Sequence, residues 1–263
     1  MEFLAGNRIR GTSAERNNIS SVTFKDNYDD TSSWAKTGST VTVNDVISGI
    51  CYGNGNTPNG ADYVSKAIGT TLSDTTWITT FDFTIDSGLD YWSVPILFTA
   101  GSGNPNTSNQ DAIGFGFNGN VSADAQIFWM WKVGSGSFSY IGTSSSGQDL
   151  RLVAGQQYYV TLTRTLSNNI TINVYTDEAR TSQVTNSPQS YTLDSTIGGL
   201  THVTHAMIPD TANYQAIFKV DNIRIYDAVT TVPNPVPLVD GSIFYETDLN
   251  KSYVLYNGSW TEL

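Results

Sequence analysis

The sequence predicts an all-β chain: one large two-sheet antiparallel sandwich or jelly roll, followed by a small β-meander. Three observations predict it. Between Val22 and Tyr226 apolar and polar residues alternate in short runs, and no stretch sustains a 3.6-residue period. Only 14% of residues are charged against 39% hydrophobic, and glycine is plentiful at 23, a composition that suits many strands joined by polar turns. No internal repeat of fixed period is present, which disfavours a propeller or solenoid.

Taken in order, residues 1–20 stand apart. They carry Arg8, Arg10 and Arg16 against Glu2 and Glu15, a net +1 on a chain whose total is −11. Gly6, Gly11, Thr12 and Ser13 interrupt any helical period, so the segment reads as an extended arm, basic relative to the acidic body, or as a frayed terminus. The body spans residues 21–228. Trp77, Thr79, Phe81, Phe83 and Ile85 form one face of a strand, with Ile78, Thr80, Asp82, Thr84 and Asp86 on the other. Val94, Ile96 and Phe98 repeat the pattern, as do Ile113, Phe115 and Phe117 with Gly114 and Gly116 opposite. Tyr158 to Arg164, the polar Ser167-Asn168-Asn169 and then Ile170, Ile172 and Val174 read as a hairpin.

The body closes on Phe218-Lys219-Val220-Asp221-Asn222-Ile223-Arg224-Ile225-Tyr226-Asp227, where alternation breaks at the Asp-Asn pair and then resumes. Residues 229–240 contain Pro233, Pro235 and Pro237 and read as a stiff linker, because proline fixes φ and donates no hydrogen bond. In residues 241–263, three short runs (Ser242 to Glu246, Ser252 to Tyr256, Ser259 to Leu263) are separated by turns at Asp248 to Lys251 and at Asn257-Gly258. A meander this small is marginal alone and needs a surface to pack on.

Composition also excludes classes. The net charge of −11 argues against nucleic acid as a partner. Cys51 is the sole cysteine, so neither an intrachain disulfide nor a thiolate metal site can form. The first ten residues lack the apolar core of a secretion signal, and no run approaches the ~20 apolar residues of a membrane span.

Three stretches of the body resemble the concanavalin A-like lectin/glucanase superfamily, in particular its laminin-G-like and adhesin members. They are Val22-Thr23-Phe24-Lys25-Asp26-Asn27-Tyr28-Asp29-Asp30 with Trp34, Gly155-Gln156-Gln157-Tyr158-Tyr159-Val160-Thr161-Leu162-Thr163-Arg164, and the closing Val220 to Asp227. The resemblance implies a concanavalin A-like jelly roll, a fold that hosts enzymes, lectins and structural modules alike. The two ends, Phe3 to Ser13 and Gly241 to Asp248 through Trp260, resemble segments of virion and tail-associated proteins of viruses that infect bacteria or archaea.

Glycoside hydrolysis needs two carboxylates roughly 5–10 Å apart. Glucanases of this fold use a Glu-x-Asp-x-(x)-Glu strand, and the five glutamates here (Glu2, Glu15, Glu178, Glu246, Glu262) are too dispersed to form one. Asp82 and Asp86 share a strand face, the ordinary arrangement of a solvated face. His202 and His205 lack a suitably placed Ser or Cys, so nucleophilic hydrolysis has no constellation to run on. Calcium takes oxygen ligands, which Asp26, Asn27, Asp29 and Asp30 beside the first strand and Asp221 with Asn222 in the last would supply; simple turn and capping roles fit the same residues. The resemblance adds that related domains often hold a structural calcium where these ends meet.

For sugar binding, Trp129 and Trp131 lie on one strand face with Phe128 and Met130 on the other. Either one face lines a groove, with Tyr91, Trp92 and Tyr140 joining it by analogy, or a second packed layer or a neighbouring subunit covers it.

The expected protein is a non-catalytic virion surface or tail-associated component, assembled in the host cytoplasm and attached through Arg8, Arg10, Arg16, Tyr245 and Trp260 to other virion proteins or to copies of itself. Cell-surface glycans are a secondary partner. The alternatives are a free-standing lectin or adhesin of a microbial surface and an unconventional glycosidase.

Overall fold

The computed structural model describes residues 2–4, 8–13, 16, 22–26, 28, 31–37, 42–43, 51–54, 63–87, 93–105, 107–119, 124–141, 150–166, 168–193, 196–207, 217–229, 241–256 and 259–263. The proline-rich segment and the Asn257-Gly258 turn lie outside them. In chain order the strands are β1 (Glu2–Leu4), β2 (Arg8–Gly11), β3 (Val22–Asp26), β4 (Ala35–Thr37), β5 (Thr42–Val43), β6 (Cys51–Asn54) and β7 (Tyr63–Ala67). Then come β8 (Trp77–Ser87), β9 (Ser93–Thr99), β10 (Ala112–Gly119), β11 (Asp124–Lys132), β12 (Ser139–Ile141), β13 (Arg151–Val153) and β14 (Gln157–Thr165). The last are β15 (Asn169–Tyr175), β16 (Gln189–Thr192), β17 (His202–Met207), β18 (Ile217–Asp227), β19 (Ile243–Glu246), β20 (Lys251–Tyr256) and β21 (Ser259–Glu262).

The chain forms two compact units, Phe24–Thr230 and a terminal unit of Met1–Thr23 with Thr231–Leu263. The larger unit is a sandwich of two eight-stranded sheets. The first runs β12-β11-β10-β9-β17-β7-β4, with β13 on β11; the second runs β16-β15-β14-β8-β18-β6-β5, with β3 on β18. Period-2 alternation puts Trp77, Phe81, Phe83 and Ile85 of β8 into the layer between the sheets, against Ile96, Phe98, Phe115 and Trp129 of the first sheet, all less than 2% exposed. Phe83 meets Phe115 edge-on at 5.1 Å and 81°, and Phe117 at 5.9 Å, the geometry aromatic quadrupoles favour.

Two bulges shape the sheets. On β9, Val94 and Pro95 together stand opposite Gly116 of β10, because the register moves from Phe115↔Ile96 to Phe117↔Ser93. Proline cannot donate to the ladder, so a bulge is where a strand tolerates it. The slip turns Val94 away from Ile96 and Phe98: Val94 joins Leu97, Ala112 and Met130 in a separate apolar cluster. The expected common face of Val94, Ile96 and Phe98 therefore divides at the proline. On β18, Asn222 and Ile223 stand opposite Phe81 alone, between the pairs Asp221↔Asp82 and Arg224↔Thr80. Asn222 takes a left-handed φ of 52°, which asparagine tolerates better than most residues. This is the physical cause of the break in alternation at Asp-Asn. Gly114 has a different reason to be glycine: a Cβ there would lie 2.1 Å from the Ile96 carbonyl oxygen.

In the terminal unit, residues expected as an extended arm form β1 and β2, and β2 pairs in parallel with β19 to give one sheet of order β1-β2-β19-β20-β21. The three meander strands occur where the alternation places them. One face carries Ile9, Phe244 and Tyr253, all buried, with Trp260 packed edge-on to Phe244 at 5.8 Å.

Candidate functional site

The expected aromatic groove does not exist at the tryptophans. Trp129 and Trp131 are 0% and 7% exposed in the core between the sheets, so no sugar can stack on them. The opposite face of β11 carries Met130 in its own apolar cluster with Phe138 packed on it, which is the second-layer alternative. Beside it the buried Lys132 Nζ donates to the carbonyls of Pro105 and Ser108 at 2.6 Å each, tying the 104–108 loop to this face. Tyr91 and Trp92 lie outside the described residues; the Tyr140 backbone pairs with Met130.

Of the expected calcium ligands, Asn27 and Asp29, like their neighbour Asp30, lie outside the described residues. Asp26 is buried and its carboxylate is already engaged: Oδ1 accepts the Tyr28 N–H at 2.6 Å, and Oδ2 pairs with Lys66 Nζ at 2.6 Å. A dication would have to displace that ammonium. Asp221 accepts the Asn222 N–H at 2.7 Å and stands in register with Asp82 of β8. Among the described residues no three His, Cys, Asp or Glu side chains converge as a metal site.

His205 belongs to a buried network. Nδ1 bonds the Pro95 carbonyl at the β9 bulge, which requires the proton on Nδ1, so Nε2 accepts from the Tyr28 hydroxyl at 3.0 Å. Trp34 stacks on Tyr28 at 5.2 Å. Tyr28 has φ 59°, unusual for an aromatic residue and held by the Asp26 bond. Desolvation lowers the His205 pKa to about 4, so the ring is neutral near pH 7.

The arm and meander residues sort by face. Arg16 pairs with the fully buried Glu246 at 3.1 Å and lies 3.6 Å over the Tyr253 ring, so it is part of the terminal unit's packing. Trp260 shares that packed side, whereas Arg8, Arg10 and Tyr245 are exposed on the other.

The polar groups that do converge lie on the outer face of the second sheet. Alternation that sends Phe81 and Phe83 inward sends Asp82 outward, between Tyr159 of β14 and Asp221 of β18 in the register. Tyr175 of β15 stands beside Tyr159 in turn. The bulge turns Asn222 so that Nδ2 donates to Asp82 Oδ2 at 2.8 Å. Arg180 reaches in from the loop after β15, with Nη2 3.5 Å from Asp82 Oδ1 and its guanidinium 5.7 Å from the Tyr159 ring centre. That loop is rigidly folded: the Asp177 carboxylate accepts the Thr181 hydroxyl at 2.7 Å and the Ser182 N–H at 2.6 Å, and Arg180 itself sits at φ 55°. Burial raises the Asp82 pKa, opposed by the Asn222 hydrogen bond and by Arg180. The Arg180 pKa is lowered, first by burial, with Arg224 adding repulsion. The result is a pre-organised patch of two carboxylates (Asp82 and Asp221), one amide, two guanidiniums and two tyrosines. Such a set offers directional donors and acceptors beside aromatic surface.

Sequence reasoning had singled out Asp82, but with Asp86 as its partner, and it missed Arg180 altogether. The broken alternation at Asn222 was the readable signal for the bulge that completes the patch.

No family model and no curated protein matches the chain. Among solved structures it is similar to a botulinum neurotoxin type C structure concerned with cell entry that depends on interaction with two ganglioside molecules (TM-score 0.50, 14% identity, 84% of this chain and 51% of that one). It is also similar to the binding domain of botulinum neurotoxin serotype D/C (TM-score 0.50, 13% identity, 82% and 51%). A prokaryotic β-1,3-1,4-glucanase (lichenase) derived from a mouse hindgut metagenome aligns at TM-score 0.49, 10% identity, over 78% of this chain and 99% of the enzyme. The chain spans about half the length of the neurotoxin chains it matches. The fold is an all-β, antiparallel two-sheet jelly-roll sandwich, similar in fold to those neurotoxin structures.

Proposed function

We infer that the sandwich binds glycans on the outer face of β14, β8 and β18, and that the chain is a non-catalytic surface or tail-associated structural protein of a virion. The observation that carries the first part is the Asp82–Asn222–Arg180 network beside Tyr159 and Tyr175. Its groups are fixed before any ligand arrives, so little ordering entropy is lost on binding. Similarity in fold to a neurotoxin whose cell entry involves gangliosides agrees with this reading. The virion part rests on the resemblance of Phe3 to Ser13 and Gly241 to Trp260 to virion proteins, and on the joining of those two ends in one sheet.

The test is a glycan array followed by titration of any hit. Asp82→Ala and Arg180→Ala each weaken binding at least about tenfold, the size of one lost charge-assisted hydrogen bond. Binding that survives both substitutions sinks the site, and an array without hits sinks the glycan reading. Mass spectrometry of purified particles tests the virion part.

One observation favours hydrolysis as a second reading. Asp82, protonated at a higher pH than an ordinary carboxyl, stands opposite Asp221 across two strands, and cross-strand side chains lie ~5 Å apart, near the spacing of a retaining glycosidase. Against it, both Asp82 oxygens are already engaged, one by Arg180 and the other by Asn222. Polysaccharide cleavage lost in Asp82→Asn is the result that would establish it.

A further inference from the structure

The terminal unit has two unlike faces. Ile9, Phe244, Glu246 and Tyr253 alternate inward and are at most 7% exposed. Arg8, Arg10, Tyr245 and Tyr256 alternate outward; Tyr245 is 37% and Tyr256 71% exposed. The register aligns them across the sheet: Arg8 stands opposite Ile243, and Arg10 lies between Glu2 and Tyr245. The Tyr245 hydroxyl donates to Asn250 Oδ1, which fixes its ring on this face. Among the described residues neither Arg8 nor Arg10 has a carboxylate within ion-pair distance.

We propose that this Arg–Tyr face is an interface between copies of the chain, docking on a carboxylate-rich surface of a second copy. Two physical points carry it. Arginine and tyrosine are enriched at interface centres and among the residues that dominate binding energy, the one as a planar fork of donors and the other as a rigid amphipathic ring. The complementary charge is present on every copy, because the chain has 24 acidic residues against 13 basic ones. A basic face meeting an acidic surface elsewhere on the next copy is a heterologous contact, which propagates into a ring or a filament. Arg16 takes no part, since its guanidinium is held by Glu246. The inference concerns the terminal unit alone and is independent of glycan binding.

Sedimentation equilibrium of the full chain tests it. Self-association is expected at ~0.01 M salt and is expected to weaken at least about tenfold at ~1 M, as the screening length falls from ~30 to ~3 Å. Arg8→Glu with Arg10→Glu abolishes association at low salt, Arg8→Lys with Arg10→Lys retains part of it, and glycan binding is unchanged in both. Thermal melts confirm folding; where the charge-reversed protein fails to fold, Arg8→Gln with Arg10→Gln decides instead. A wild-type chain that stays monomeric at low salt, or association insensitive to salt and to these substitutions, overturns the proposal.

Discussion

Acid should destabilise this protein through its buried histidine, His205, with His202 acting in the same direction. The His205 ring is 4% exposed, donates from Nδ1 to the Pro95 carbonyl and accepts at Nε2 from Tyr28, an arrangement built for the neutral form. Its folded pKa of about 4 lies below the ordinary 6.5. Between those values the unfolded chain binds more proton than the folded one, so stability falls as pH drops through that window. It is full above about pH 6.5, and the loss levels off below about pH 4 at roughly 3 kcal/mol. Urea unfolding at pH 7 and pH 4 measures the loss. His205→Gln costs about 1–3 kcal/mol at pH 7, because a buried partner goes unsatisfied, but it lacks the His205 share of the acid loss. The chain has only two histidines, so ring NMR resolves both directly. A His205 resonance titrating near 6.5, or equal acid loss in wild type and variant, would refute the reasoning.

Three further outcomes are expected. Phe83→Ala leaves a hole among Phe81, Phe115 and Phe117 and costs about 3–5 kcal/mol in urea unfolding. Gly114→Ala forces a methyl against the Ile96 carbonyl oxygen, separating β9 from β10; a loss of about 1–3 kcal/mol or more is expected from a melt, and a neutral result would deny the close approach. Arg16→Met strands the buried Glu246 carboxylate and costs about 3–5 kcal/mol, largely recovered when Glu246→Gln is added.

Much of the fold was legible because its cause is local. Alternation on β8 and on β14 assigns inside and outside without knowledge of the partner strand, and Phe81, Phe83 and Leu162 are buried as that pattern requires. Register was less legible. Pro95 in β9 and the Asp221-Asn222 pair in β18 each mark an extra residue, and each moves side chains to a face that simple parity does not give. The tryptophans misled for a related reason. A strand with apolar residues on both faces does not say which face meets the second sheet, and Trp129 went inward while Met130 found a smaller cluster outside. Arg180 left no periodic trace, because a turn held by Asp177 delivers it from a loop. The joining of β2 to β19 is a contact between residues more than 230 positions apart, beyond the reach of any local pattern.

On the proposed reading the outer face around Asp82 binds glycans. Backbone NMR of the labelled chain during titration with a glycan identified on an array tests it most directly. Saturable shifts are expected to concentrate at Asp82, Tyr159, Arg180 and Asn222 and to vanish in Arg180→Ala. Shifts that centre on another surface, or that persist unchanged in Arg180→Ala, would contradict it.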